Sequence, residues 1–151
     1  MKTIKELCDF VRETAYAIHL YHGHGHLEKV YENALAHRLR KAGWSVVQQH
    51  PLTVYDEDGT VIGEYFADLF VEGRLVVELK ACRALGDEHT AQILGYLKSS
   101  RTEDGLLINF GSYKFQIQKY VMSRQGTPST PKIGDVFLSL FSALSAFLCG
   151  Q

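Results

Sequence analysis

Cysteine is scarce in this chain: Cys8, Cys82 and Cys149 make three in 151 residues, with no CxxC pair. An odd number at unpaired spacing argues against a disulfide framework and suits free thiols in a reducing cytoplasm. Neither sign of charge dominates, since 16 Lys and Arg face 17 Asp and Glu for a net charge of −1. That excludes a strongly basic, indiscriminate nucleic-acid binder, yet it permits a local basic groove around a metal-neutralised acidic site. The first residues, Met1 to Glu6, lack the apolar core of a secretory signal. No internal repeat is visible. Proline is nearly absent until Pro128 and Pro131, with Pro51 the one earlier example. A cytoplasmic protein is the expectation.

What is present is a hydrophobic content of 46%, enough over this length for one domain with a core of its own. Ile4, Leu7, Cys8, Val11, Ala15 and Ile18 recur at helical spacing, predicting a helix from Thr3 to about Tyr21. His22-Gly23-His24-Gly25-His26 breaks the pattern, and a second helix resumes from Leu27 to Lys41, ended by Gly43. His19, His22, His24 and His26 crowd this junction, but without a nearby cysteine their spacing fits no usual tetrahedral zinc motif. Trp44 to Tyr55 reads as a strand with an irregular middle or a sheet edge, because Pro51 cannot donate to a ladder. Asp56-Glu57-Asp58-Gly59 is a turn, and strands follow over Val61 to Val71 and Leu75 to Lys80. Asp87 can cap a helix running to about Ser99. Gly105 to Phe110 is a short apolar run suited to a strand buried on both faces, and Lys114 to Met122 alternates beside it. The fold class expected is α/β or α+β, with a mixed sheet of about five strands flanked by helices.

The second and third strands carry charge where a buried strand should have none: Asp68 in one, Glu78 and Lys80 in the other. Burying an ionised carboxylate alone is expensive, so these groups must share a polar pocket or a cation. Register decides whether they meet. A three-residue loop at Glu72-Gly73-Arg74 pairs Val71 with Leu75 and sets Asp68 opposite Glu78 on one face, with Lys80 two residues on. A two-residue loop would pair Asp68 with Val77 and turn Glu78 away, unless a bulge restored the parity.

Asp68 with Glu78-Leu79-Lys80 on adjacent strands resembles the active site of the PD-(D/E)XK nuclease superfamily. Gly25-His26-Leu27-Glu28-Lys29-Val30-Tyr31 resembles the signature of its GxxExxY family. The resemblance continues in order through Gly63-Glu64-Tyr65, Ala67-Asp68-Leu69, Val77 to Ala81, His89 with Ala91-Gln92, Tyr96-Leu97-Lys98 and Leu107 to Gly111, over roughly residues 5 to 121. Ala67 stands where the superfamily name has proline, which bears on backbone shape rather than ligation. The resemblance implies a metal-dependent nuclease hydrolysing phosphodiester bonds, with DNA the expected substrate. Asp68, Glu78 and the Leu79 carbonyl are hard oxygen ligands suited to Mg²⁺ or Mn²⁺. Lys80 can orient the attacking water and offset charge building on the phosphate. By resemblance, Glu28 completes the metal environment from a helix and Gln92 reaches the site from the later helix, on one face with Tyr96. Arg83, His89, Tyr96, Lys98 and Lys114 are candidate nucleic-acid contacts.

Each residue also has a plainer reading. An acid at a helix start usually complements the dipole, which would account for Glu28. Lys80 could be a strand-end partner of Glu78, and His89 a surface residue at a helix start. Tyr31 and Tyr96 suit core and pocket walls, and Cys82 a small buried residue rather than a nucleophile. For the whole domain, the second reading is a nuclease fold that binds nucleic acid or a protein without cutting.

Three segments are expected: a nuclease-like domain over residues 1–122, a linker over 123–134 and an amphipathic C-terminal helix over 135–151. In the last, Val136 to Leu148 make a helix of roughly 20 Å, short of a bilayer core, and its polar side carries no lysine or arginine. Homodimerisation through this helix is expected rather than membrane contact.

Overall fold

The computed structural model describes residues 1–123. The expected linker and C-terminal helix, and any dimer they form, lie outside the described residues. Helix α1 (Ile4–His22) starts at Thr3, whose hydroxyl accepts the Glu6 amide while the Glu6 carboxylate accepts the Thr3 amide. This reciprocal cap satisfies two otherwise orphaned donors. Helix α2 (Glu28–Lys41) follows, then strands β1 (Val46–Tyr55), β2 (Val61–Val71) and β3 (Leu75–Lys80), helix α3 (Asp87–Ser100), and strands β4 (Asp104–Asn109) and β5 (Gln116–Val121).

The strands form one sheet in the order β1-β2-β3-β4-β5, antiparallel except where β3 runs parallel to β4. Pro51 thus sits on an edge strand, where its missing N–H costs least. Helices α1 and α2 cover one face with Leu7, Val11, Ile18, Leu35 and Leu39 against Leu69, Val77 and Leu79. Helix α3 covers the other with Ile93, Tyr96 and Leu97 against Ala67, Val76 and Leu107. All six residues of β3 except Lys80 are buried, as a central strand requires.

The loop between β2 and β3 is Glu72-Gly73-Arg74, and Val71 faces Leu75. Gly73 lies at φ +64, conformational territory that glycine occupies freely. The register that brings Asp68 to Glu78 is therefore the one present. Several boundaries shift by one or two residues, β1 starting at Val46 rather than Trp44 and β4 running Asp104–Asn109 rather than 105–110, and two further differences bear on local structure. Gly86, not Asp87, caps α3; the Gly86 amide donates to His89 Nδ1 at 3.0 Å, so the His89 ring satisfies the N–H of the cap residue itself. Strand β5 begins at Gln116 rather than Lys114, because residues 111–114 are bends that carry the chain past the end of α1.

One irregularity positions the site. Gln49 in β1 adopts φ +50, a left-handed conformation that residues with a Cβ rarely enter. Val46 packs on the α1/α2 side and Leu52 on the α3 side, although an even separation in a regular strand keeps one face. Across the pair, Leu69 and Ala67 divide in the same way. Both strands thus exchange faces at Gln49 and Asp68. Beyond this point β2 has no partner in β3, whose ladder with it ends at Leu69↔Val77.

Candidate active site

The strands β2 and β3 part at Asp68, and the two acids close the opening. The Asp68 backbone N–H donates to Glu78 Oε1 at 3.0 Å, and the Leu79 backbone N–H donates to Asp68 Oδ2 at 2.8 Å. Carboxylates here replace the carbonyl acceptors a continued ladder would supply, which explains how buried strands tolerate them. Glu78 is 2% exposed and Asp68 9%. Burial, followed by the adjacent Asp68 charge, pushes the Glu78 carboxyl up to about 9; the Asp68 amide and Lys80 only partly offset this. Asp68 is also raised, first by burial, with the Leu79 amide pulling the other way. The two acids are thus a coupled pair, both raised by burial and Glu78 the more strongly.

Glu28 reaches this pair from the first turn of α2. Its carboxyl is raised by burial and then by the charges of Asp68 and Glu32, while Lys80 and the Ala81 backbone N–H act in the opposite direction. The motif around it has a structural logic. Gly25 lies at φ +115, and the Tyr31 hydroxyl donates to the Gly23 carbonyl at 2.6 Å while accepting the His26 amide at 3.2 Å. The Tyr31 ring stacks on Phe110 with centroids 4.6 Å apart and planes 7° apart. Tyr31 therefore ties the glycine-rich junction to the core and fixes where α2 begins, which aims Glu28. It is a core wall, as expected. The neighbouring histidines make ring contacts: His19 bonds the Ser112 carbonyl and packs on Phe115, His24 meets Tyr113, and His22 and His26 meet edge to face.

From α3, Gln92 Nε2 donates to the Tyr96 hydroxyl at 2.8 Å. Burial and then the Glu78 charge raise the Tyr96 hydroxyl, so the tyrosine stands within electrostatic reach of the acids. Tyr65 of β2 lies against it with centroids 5.3 Å apart. Behind Lys80, the Asn109 side chain bonds both backbone groups of Cys82, accepting from its N–H at 3.1 Å and donating to its carbonyl at 2.9 Å. Asn109 thereby fixes the chain leaving β3.

Two further residues belong to the site and were not foreseen. Glu32, one turn after Glu28 and 3% exposed, accepts Lys29 Nζ at 2.8 Å and Gln48 Nε2 at 2.9 Å. Gln49 Nε2 donates to Glu32 Oε2 at 2.9 Å and to Asp68 Oδ1 at 3.3 Å. The spacing of Glu32 from Glu28 on one helix was the available signal.

The candidate contact residues divide. Exposed Arg83 lies three residues past the end of β3, and exposed Lys114 follows the strand end at Asn109 that pairs with Lys80, so both lie at the carboxylate end of the sheet. His89 is committed to the cap of α3. Lys98 lies near the far end of α3, lining a cavity of about 580 Å³ with Arg101, Glu103 and Met122, next to the start of β4. This is the sheet end opposite Lys80, which removes Lys98 from the site.

Among the described residues no group of three or more His, Cys, Asp or Glu gathers closely enough to hold a metal ion by itself. The donor set nevertheless fits a small hard cation. Asp68 and Glu78 are oxygen donors fixed by backbone amides, and together they lack a full positive counter-charge, as the elevated Glu78 shows. Mg²⁺ characteristically binds one or two carboxylates and keeps several waters, so two acids and a carbonyl suffice.

No curated protein matches the chain. Among solved structures, that of SSO0001 shares the fold at a TM-score of 0.51 and 18% identity, over 60% of this chain. The match covers 48% of the other chain, so this one spans about half its length. The model of the PD-(D/E)XK nuclease superfamily matches residues 5–121, a stretch that takes in both helices of the first layer, all five strands and every residue of the acidic site, and the chain belongs to that superfamily.

Proposed function

We propose that this protein is a divalent-metal-dependent nuclease that hydrolyses phosphodiester bonds in DNA, of the GxxExxY type within its superfamily. The observation that carries the reading is the exchange of carboxylate and amide between Asp68 and the Glu78-Leu79 segment, immediately before Lys80. It fixes two acids side by side whose joint ionisation is unfavourable without a cation.

Asp68, Glu78 and the Leu79 carbonyl would hold Mg²⁺ or Mn²⁺, with Glu28 completing the surroundings from α2. When bound, such an ion supplies Lewis-acid polarisation of the scissile phosphate and lowers the pKa of a bound water. Lys80 presents an ammonium group toward the same space, able to orient the attacking water and to stabilise charge developing on the phosphate oxygens. Tyr96, held by Gln92, walls the pocket on the α3 side. Arg83 and Lys114 are the side chains we assign to phosphate contacts. Free thiols at Cys8 and Cys82 suit a reducing cytoplasm. No helix among the described residues is long and apolar enough to cross a membrane.

The direct experiment incubates purified protein with single- and double-stranded DNA and RNA in Mg²⁺, Mn²⁺ or EDTA. Cleavage of DNA with Mg²⁺ or Mn²⁺ and none in EDTA is expected; cleavage undiminished by EDTA overturns the mechanism. The net charge of −1 favours one other reading, a nuclease fold that binds nucleic acid or a protein without cutting. Retained DNA binding with no cleavage under any metal selects it. The domain boundary near residue 122 and a homodimer through the segment 135–151 are also proposals. A truncation at Arg124 that lowers the solution mass from dimer to monomer by light scattering supports both, and a monomeric full-length chain rejects the dimer.

A further inference from the structure

We propose that Gln49 is a positioning residue for Asp68: its side-chain amide ties the Asp68 carboxylate to Glu32, holding Asp68 in the orientation from which, with Glu78, it takes a divalent cation. The proposal rests on the metal-dependent reading above.

Three observations converge on this residue. Its backbone at φ +50 departs from the strand conformation of β1, at the point where the strand pair exchanges faces. Residues other than glycine held in such conformations concentrate at functional sites. Its amide nitrogen then lies between two carboxylates, 2.9 Å from Glu32 Oε2 and 3.3 Å from Asp68 Oδ1. An NH₂ group has two donors, and a carboxylate accepts only, so the amide oxygen cannot take this place without facing lone pairs on both sides. Finally, the far anchor is itself fixed, since Glu32 Oε1 accepts Lys29 Nζ at 2.8 Å and Gln48 Nε2 at 2.9 Å.

The arrangement solves a problem of like charge. Glu28, Glu32 and Asp68 stand close enough that each of the latter two raises the Glu28 carboxyl, and Glu32 raises that of Asp68. Repulsion alone would swing Asp68 away from α2. A neutral amide with a donor toward each acid holds them apart at a set spacing. Asp68 is then constrained through both oxygens, Oδ2 by the Leu79 amide and Oδ1 by Gln49. Outer partners that orient a ligand in this way typically contribute about 10- to 100-fold in metal affinity or activity.

The test separates the amide from the backbone shape. Gln49→Gly keeps the left-handed conformation without strain and removes the amide; Gln49→Asn keeps an amide too short to reach both acids. Full-length wild type and both variants are titrated with Mn²⁺ by calorimetry, melted by circular dichroism, and assayed for DNA cleavage across Mg²⁺ concentrations. The expected result is that both variants still melt cooperatively as folded proteins, with Mn²⁺ affinity down about tenfold or more in each. The Mg²⁺ concentration for half-maximal cleavage rises in step, and excess Mg²⁺ restores the rate. Wild-type Mn²⁺ affinity in both variants overturns the positioning role and leaves the nuclease reading standing. A wild-type protein that neither binds Mn²⁺ nor cleaves overturns both.

Discussion

Asp68 and Glu78 hold one another through the main chain: the Asp68 N–H donates to Glu78 Oε1, and the Asp68 carboxylate accepts the N–H of the residue after Glu78. Each acid is thus at once a ladder acceptor and a candidate ligand. The amide substitutions Asp68→Asn and Glu78→Gln keep an oxygen acceptor for these bonds while removing the capacity to ionise. We expect both to fold and to lose cleavage by orders of magnitude, as Lys80→Ala also should. Asp68→Ala differs, because it strands the buried Leu79 amide and should cost about 1–3 kcal/mol of stability. Urea titration alongside the cleavage assay checks the contrast, and full activity in Glu78→Gln sinks the assignment.

The same pair makes stability without metal depend on pH. The Glu78 carboxyl lies near 9 in the folded protein, against an ordinary value of 4.5. The folded state therefore binds the proton more tightly than the unfolded chain, and stability falls as pH rises between these values. It is highest below the unfolded pKa and has been lost once pH passes the folded one. Asp68, also raised, adds in the same direction. Glu78 alone contributes a slope of up to about 1.4 kcal/mol per pH unit inside that window. Denaturant melts in EDTA across the range should show the decline, and Glu78→Gln should flatten it. A wild-type profile that rises with pH contradicts the coupled pair.

The strands of the site were legible in the sequence because their punctuation is strong. Asp56-Glu57-Asp58-Gly59 and Glu72-Gly73-Arg74 bound β2, and the observed β2 and β3 coincide with the expected 61–71 and 75–80. Counting the second loop as three residues was enough to bring Asp68 to Glu78. Gln49 and Glu32 could not be found this way. They meet Asp68 through a left-handed residue in β1 that neither glycine nor asparagine marks; Pro51 signalled an irregular middle or a sheet edge there, but not which residue departs from the strand. Lys98 was misassigned for a related reason: helical periodicity gives the face of α3 on which a residue lies, and only the parallel pairing of β3 with β4 shows which end of the sheet the helix end approaches.

Glu28 was distinguishable from a dipole-complementing acid only through resemblance, and its surroundings suggest how to tell the two apart. Its carboxyl is raised by burial and by Asp68 and Glu32, so the charge is unfavourable where it stands without a cation. A residue serving the dipole alone stabilises the helix, and Glu28→Gln would then lower the melting temperature and spare cleavage. For a site acid we expect the reverse: metal-free Glu28→Gln melts at or above wild type, and cleavage falls at least tenfold. Melting in EDTA and cleavage in Mg²⁺ on one protein preparation decide between them.

Gly111 shows how closely the chain behind Lys80 is fitted. A Cβ added there would sit 2.3 Å from the Ala81 carbonyl carbon and the Cys82 nitrogen and 2.7 Å from the Cys82 oxygen. These are backbone atoms of the segment that leaves β3, and they cannot rotate aside as a flexible side chain would. Asn109 holds the same segment from the other direction through the N–H and carbonyl of Cys82, and its Oδ1 also accepts the Gly111 amide at 3.0 Å. Gly111→Ala must therefore push residues 81 and 82 outward against that clamp, moving Lys80 with them. Overpacking of this kind typically costs about 1–3 kcal/mol, and the displaced lysine should lower cleavage further than the loss of stability explains. Urea melts and kcat measured well below the melting temperature separate the two effects. A Gly111→Ala protein with wild-type kcat and stability would show that the Ala81–Cys82 segment moves freely and that Lys80 does not depend on it for its position.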